Sequence, residues 1–497
     1  MDARLDEDAE QFAAILDRAR ALAGDYLDSL DHRPAAATLP DRGLAVTATL
    51  PVEGVGALAA LDRFSSDYDR YLSASPGAHY FGFVTGGGSP AALAADWLVA
   101  TFDQNAQLNG DSCAPFIEAQ AIDMLRQLLA WPATWTGVCV TGATMANYVG
   151  IAMARQWAGK MLGRDIAADG LWGLQPIAVF AGAAHSSTSK ALSMAGFGRN
   201  ALHSLPLLDG RETFDIAALE AALIAHGDAP KIVVASAGTV NTVDFDDLAA
   251  LAALKQRHPF WLHVDAAFGG IAAASPARRA LLAGIEAADS VTVDAHKWLN
   301  VPYDCAVAFT AQKHLSLQIE IFRNQSAYLP APQAVAHNYL HLTPENSRRL
   351  RALPLWMSLV AYGQAGFAEI VERNCASAKL LGERIAAHPR FRLAAPVRLN
   401  VVCLALREDR IDAASQLAQL CKALHADGTA FVTPSMLDGK PVLRVAICNW
   451  RTTDADIEMT CEALFRLADA LAMPGGASEP VASEISGETP DTISAQH

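Results

Sequence analysis

Lys297 follows an apolar run and a histidine in SVTVDAHKWLNVPYDC (290–305), and Asp265 ends another apolar run in WLHVDAAFGG (261–270). A lysine after a strand is, taken alone, an ordinary surface residue. An acid and a lysine at the ends of neighbouring strands can instead address opposite ends of one flat aromatic ring. Pyridoxal phosphate needs such a pair. A carboxylate keeps its pyridine nitrogen protonated so that the ring draws electrons, and an amine holds its aldehyde as an imine. Ala266 and Ala267 are small enough to let a flat ring lie close to the backbone.

Two further segments carry chemistry. VCVTGATMANYVG (138–150) reads as strand, small-residue turn and helix, and presents the Ala143 and Thr144 N–H groups and the Thr144 hydroxyl at a helix N-terminus. Such a turn is either a simple cap or an anion site fit for a phosphate. In AGAAHSSTSKAL (181–192), His185 opens a helix after the run PIAVF. It reads either as a cap-region histidine or as an imidazole stacked on a cofactor ring and touching a substrate carboxylate.

The elements that must position these residues follow from periodicity. Short apolar runs (GVCV 137–140, PIAVF 176–180, KIVVAS 231–236, FWLHVD 260–265, SVTVD 290–294) alternate with helical segments. That pattern predicts buried parallel strands joined by crossover helices, in an α/β domain whose site opens at the strand C-termini. Residues 1–30 and 56–76 read as amphipathic helices joined by an extended Pro/Ala-rich connector, and a helix follows the TGGGSP turn at 85–90. Residues 348–386 read as one long helical region with a kink at Pro354. The division drawn from this is an N-terminal helical segment (1–84), a large α/β domain (85–386), a C-terminal α+β domain (387–473) and a disordered tail (474–497).

Taken together, these segments resemble the group II pyridoxal-phosphate decarboxylases, the family of aromatic-L-amino-acid, histidine and glutamate decarboxylases, and resemble the aromatic branch most. The resemblance rests on Asp294-Ala295-His296-Lys297-Trp298, on His-Val-Asp-Ala-Ala at 263–267 and on His185-Ser186-Ser187. It also rests on HYFGFVTGGGSPAALAADWL (79–98), SRRLRALPLWMSLVAYG (347–363) and VLRVAICNWRTT (442–453). It implies the aminotransferase-like type I fold with a mostly parallel seven-stranded sheet, a homodimer, a small amino-acid substrate and decarboxylation to an amine. It assigns the covalent link to Lys297, the pyridine nitrogen to Asp265, the two ring faces to His185 and Ala267, and the phosphate to Ala143, Thr144 and His296.

Some positions depart from the family pattern. Asp294 stands where an asparagine is common, and an anion beside a phosphate repels it unless a neighbour is protonated. Gly82 falls where the animal aromatic enzymes have a wall tyrosine, and Val240 where they have a threonine at the cofactor. By the same resemblance Tyr339, before the Arg348-Arg349 pair, is the loop acid that returns a proton to the substrate carbon, with His341 the other nearby donor. Relatives with phenylalanine there make aldehydes, so an aldehyde synthase is the rival reading, and a catalytically silent relative is another.

Composition narrows the rest. A net charge of −15 and the absence of any Lys/Arg run argue against a nucleic-acid partner. Eight cysteines without CxxC or Cys/His spacing read as reduced packing residues and point to no metal. No apolar stretch is long enough to span a membrane, and the acidic amphipathic N-terminus reads as no targeting peptide, so the expected compartment is the cytoplasm.

Overall fold

The computed structural model describes residues 3–40, 42–106, 112–324, 338–407 and 413–472. The tail assigned to 474–497 lies outside these described residues.

The central sheet has seven strands: β1 (Trp135–Val140), β2 (Ala178–Ala181), β3 (Leu202–Ser204), β4 (Lys231–Ser236), β5 (Trp261–Asp265), β6 (Ser290–Asp294) and β7 (Ala306–Ala311). Their order is β1-β7-β6-β5-β4-β2-β3, and β7 alone runs against the rest. Every residue of β2, β4, β5, β6 and β7 is buried. That burial explains why their sequences are continuous apolar runs rather than alternating ones. A second, antiparallel sheet holds β8 (Phe391–Leu393), β9 (Val401–Leu406), β10 (Thr433–Leu437) and β11 (Lys440–Ala446), in the order β10-β11-β9-β8. It packs on its own apolar cluster, which includes Phe391, Leu404, Leu424 and Leu464.

The long C-terminal helical region runs from Ala352 to Ala387, but its break lies at Gly363 (φ 57°) and not at the predicted Pro354. Pro354 sits in the first turn, where a missing N–H costs no hydrogen bond. Gly363 takes a left-handed φ that only glycine adopts cheaply.

The turn that carries Lys297 is clamped from three sides. Trp298 is fully buried and its indole N–H donates to Asn374 Oδ1 on the long helix at 2.8 Å. Asn300 donates to the Cys448 carbonyl and accepts from Trp450 N, which ties the turn to the C-terminal domain. Ser89 N donates to the Asn300 carbonyl at 2.8 Å, and Gly86 lies directly on the Lys297 carbonyl. A Cβ at Gly86 would stand 1.9 Å from that oxygen, so the TGGGSP turn needs glycine there for close backbone approach. Gly86→Ala should therefore shift the Lys297 turn and cost about 2 kcal/mol or more in a urea titration. Gly54→Ala, with open space around its Cβ, should stay within about 0.5 kcal/mol of the parent.

Candidate active site

The C-terminal ends of β1, β2, β4, β5 and β6 open onto one edge of the sheet, and a cavity of about 270 Å³ sits there. It is lined by Ala143 after β1, His185 after β2, Ser236 at the end of β4 with Gly238, Thr239 and Val240 after it, Asp265 and Ala267 at the end of β5, and Lys297 after β6. Phe83, Val84 and Phe268 add apolar walls, and Arg444 reaches in from β11.

Asp265 is buried and held by two donors. Ala267 N reaches Oδ1 at 3.2 Å and Asn147 Nδ2 reaches Oδ2 at 3.0 Å. Asn147 is itself fully buried on the helix Ala143–Met161, four residues beyond Ala143 and so on the same helical face. Its second amide hydrogen goes to Ser187 Oγ at 3.0 Å, and its Oδ1 accepts from Thr292 Oγ1 at 2.6 Å and from His263 Nε2 at 3.0 Å. The direction of the last bond is fixed by Asp265, which only accepts and so holds the amide nitrogen on its own side. Trp261 Nε1, which only donates, reaches Ser290 Oγ at 3.0 Å, and Ser290 Oγ lies 2.8 Å from His263 Nδ1. His263 is neutral, its pKa pushed down to about 4 by burial.

His185 caps the helix Ser186–Met194. Its Nδ1 accepts from Ser187 N at 3.2 Å and from Ser187 Oγ at 2.7 Å, which leaves Nε2 to carry the hydrogen. Burial lowers its pKa as well, against the opposing field of Asp265.

The Lys297 amine pairs with Asp294 Oδ2 at 2.8 Å. Asp294 is thus the counter-charge of the lysine rather than a bare anion. His296 Nε2 lies 3.6 Å from the same oxygen, while its Nδ1 accepts from Cys305 N at 3.3 Å. His296 lines a neighbouring cavity of about 250 Å³ together with Thr85 and Tyr303, and its ring lies next to Gly142 at the start of the Ala143–Met161 helix.

These groups fit pyridoxal phosphate. An amine and a donor-held carboxylate face one cavity, and the small side chains of Ala143 and Ala267 line it. The Ala143–Met161 helix begins at Gly142 with no side chain capping its first N–H groups, where Thr144 also sits, as a phosphate requires.

Other predicted residues lie elsewhere. Tyr339 does not join the cavity: it is buried in a one-turn 3₁₀ helix, its ring 5.4 Å from the guanidinium carbon of Arg348. Arg348 in turn forms a fully buried ion pair with Glu118 at 2.8 Å. His341 is buried beside it, and its Nδ1 accepts from Asn324 N at 3.2 Å. At Gly82, a Cβ would meet the Phe431 ring at 2.3 Å, so an aromatic ring from the C-terminal domain fills the space above that position. Val240 lines the cavity, whereas Asn241 turns away to bond Met436 O and Ser435 Oγ.

Sequence reasoning missed Asn147, His263 and Arg444. Arg444 is buried, donates from Nε to the Val240 carbonyl, and leaves Nη2 without a partner among the described residues.

Fold and site together define a pyridoxal-phosphate enzyme of the aminotransferase-like class. The pyridoxal-dependent decarboxylase conserved domain matches residues 71–407, more than half of the chain. The aromatic-L-amino-acid decarboxylase of Bacillus atrophaeus is 26% identical over 472 residues, covering 92% of this chain and 95% of the relative. Tryptophan decarboxylase 1 of Oryza sativa subsp. japonica is 29% identical over 407 residues, covering 75% of this chain and 76% of the relative. A crystal structure of Oryza sativa TDC with pyridoxal phosphate and tryptamine superposes with a TM-score of 0.86 at 25% identity, over 93% of this chain and 98% of that one. The chain belongs to the pyridoxal-dependent decarboxylase family. It is a pyridoxal-phosphate-dependent amino-acid decarboxylase.

The neutral His263 yields a stability test. The folded protein refuses a proton that the unfolded chain accepts near 6.5, so this contribution is complete above pH 6.5 and is lost as pH falls toward 4. Urea midpoints of the parent and of His263→Gln, compared at pH 7.5, 5.5 and 4.5, should converge as pH falls. A constant difference would mean that the folded and unfolded chains protonate His263 alike.

Proposed function

We propose that the enzyme decarboxylates an aromatic L-amino acid to its amine, working as a homodimer. The observation that carries this reading is the charge count of the cavity. Its side-chain cations are Lys297, which the cofactor consumes, and Arg444, whose Nη2 is free. One guanidinium serves one carboxylate, and the described residues lining the cavity offer no second cation for an acidic side chain. Phe83, Val84, Val240 and Phe268 provide instead an apolar wall for a ring. The relatives named as aromatic decarboxylases support the same substrate class.

When bound, pyridoxal phosphate supplies a ring that accepts the electron pair left as carbon dioxide departs. Lys297 would hold it covalently, and Asp265, acceptor to Ala267 N and Asn147, would pair with its ring nitrogen. Ala143, Thr144 and His296 would hold its phosphate, and His185 and Ala267 its ring. Arg444 orients the substrate carboxylate, and the apolar walls exclude water from it, which favours loss of its charge. Asp294 takes up the Lys297 ammonium whenever that amine is free.

The dimer is supported by three helices, Ala3–Glu10, Phe12–Asp28 and Ala57–Tyr68, that bury no residue against their own chain. Leu5, Phe12 and Leu16 stand exposed on them, and Phe83 at the cavity mouth is 63% exposed. Light scattering should give about twice the chain mass of 52.6 kDa.

Borohydride reduction followed by peptide mapping should place the reduced cofactor on Lys297; recovery on another lysine would sink the assignment. A panel of amino acids assayed for carbon dioxide, amine and peroxide should give amine from an aromatic substrate. Peroxide and aldehyde in place of amine would make the enzyme an aldehyde synthase. Arg444→Leu should raise KM by about tenfold or more with a much smaller fall in kcat, as for lost ground-state binding of a charged group. Tyr339→Phe, buried against Arg348, should leave the amine-to-aldehyde ratio unchanged.

A further inference from the structure

Asn147 spends all four of its amide bonds inside the protein. Its acceptor oxygen is saturated by Thr292 and His263, and that forces both hydrogens of Nδ2 forward, one to Asp265 Oδ2 and one to Ser187 Oγ. The amide cannot flip, because a flip would aim its oxygen at a carboxylate and strand the Thr292 and His263 donors. Ser187 Oγ accepts from Asn147, so its own hydrogen is available to His185 Nδ1. Bond direction is thus set from the buried side of the sheet and delivered to both reactive ends of the cavity.

We propose that Asn147 is a positioning residue for the reaction, one amide that holds the Asp265 carboxylate as an acceptor for the cofactor ring nitrogen and, through Ser187, keeps His185 as its Nε2–H tautomer. This rests on the pyridoxal-phosphate decarboxylase reading and adds to it. Asp265 alone at the end of β5 would be a buried carboxylate with a single backbone donor, and an acceptor held by one bond is free to turn away from the ring nitrogen. His185 with the other tautomer would turn a lone pair, not an N–H, toward an incoming carboxylate. Asn147 guards against the first failure and, together with the Ser187 N–H that also donates to His185 Nδ1, against the second. The long hydrogen-bonded path from Trp261 through Ser290 and His263 explains why a histidine, serine and threonine are tolerated deep in an otherwise apolar sheet.

Three variants separate the branches. Asn147→Leu keeps the γ-branched shape and removes both forward donors. Ser187→Ala removes only the His185 branch, and Thr292→Val removes one donor behind Asn147 while leaving its forward bonds in place. Pyridoxal phosphate is titrated into each cofactor-free protein by fluorescence quenching, and the visible spectrum and steady-state constants of the reloaded proteins are recorded. The expected result is a dissociation constant about tenfold or more higher for Asn147→Leu, the size of one lost hydrogen bond to a charged group, with an altered visible band and a fall mainly in kcat. Ser187→Ala should bind the cofactor within about threefold of the parent and show its loss mainly in KM. Thr292→Val should stay near the parent in both. If Asn147→Leu does not fold, Asn147→Ala, which leaves room for water beside the stranded donors, is judged by the same criteria. A folded Asn147 variant that binds the cofactor within threefold of the parent with an unchanged spectrum overturns the proposal, as does a Thr292→Val protein impaired to the same degree. A parent protein that takes up no pyridoxal phosphate would instead overturn the decarboxylase reading.

Discussion

A carboxylate removed from water at the end of a buried parallel strand governs the design of this protein. Asp265 has Ser236 of β4 on one side and Thr292 of β6 on the other. Neither strand offers it a backbone donor beyond its own turn, so the charge has to be supported from another layer. The helix that follows β1 provides that support. It starts at Ala143, where its free N–H groups face the cavity, and one turn later puts Asn147 against the acid. The same helix thus serves the phosphate end and the ring-nitrogen end of the cofactor. Its small residues Ala146, Gly150 and Ala154 let it lie close to the sheet, and a Cβ at Gly150 would meet the His263 ring at 2.5 Å. Close packing here is a precondition for the polar network, not an accompaniment to it.

The second constraint is that the cavity has a wall from another sheet. Arg444 on β11 holds the Val240 carbonyl, and Asn241 next to it bonds Met436 O and Ser435 Oγ on β10. The loop after β4 is therefore stitched to the small domain on both sides of the residue that faces the cavity. Glu212 secures the other flank of that loop, accepting from Thr239 Oγ1, Thr242 N and Thr242 Oγ1. A loop pinned this densely presents Val240 in a fixed place. Binding residues set on loops gain precision when the scaffold locks them this way.

The sequence made the sheet legible because a strand buried on both faces is written as an unbroken apolar run. KIVVAS and SVTVD match β4 and β6 residue for residue, and GVCV and FWLHVD match β1 and β5 within two residues. β3, β7, β8 and β10 were not singled out: β3 and β8 are three residues each, β7 is half alanine, and β10 carries Pro434 and exposed positions. Lys297, Asp265, Ala267, Ala143 and His185 could be read from motif and strand end, and all five line one cavity. Asn147 and Arg444 could not, because a lone amide in a helix and a lone guanidinium in a strand have no spacing signature. What distinguishes them is burial, which only the fold discloses. Tyr339 was reached by counting back from an arginine pair, and distance along a chain does not fix direction. The ring turned inward to Arg348, whose buried charge needs covering as much as the cavity needs an acid.

That last competition is itself informative. Arg348 and Glu118 lie wholly inside the protein, and their pair is bonded further to Ala106 O, Cys139 N and Cys139 O. Breaking such a pair costs about 3–5 kcal/mol because the surviving charge stays buried. The Tyr339 ring over the guanidinium adds cation–π attraction in the same dry setting, where it is worth most. Burial also raises the Tyr339 pKa well above its ordinary value, so the phenol keeps its proton. The Tyr339 ring thus helps cover the junction between β1 and the chain leading into the Ala352–Ala387 helix.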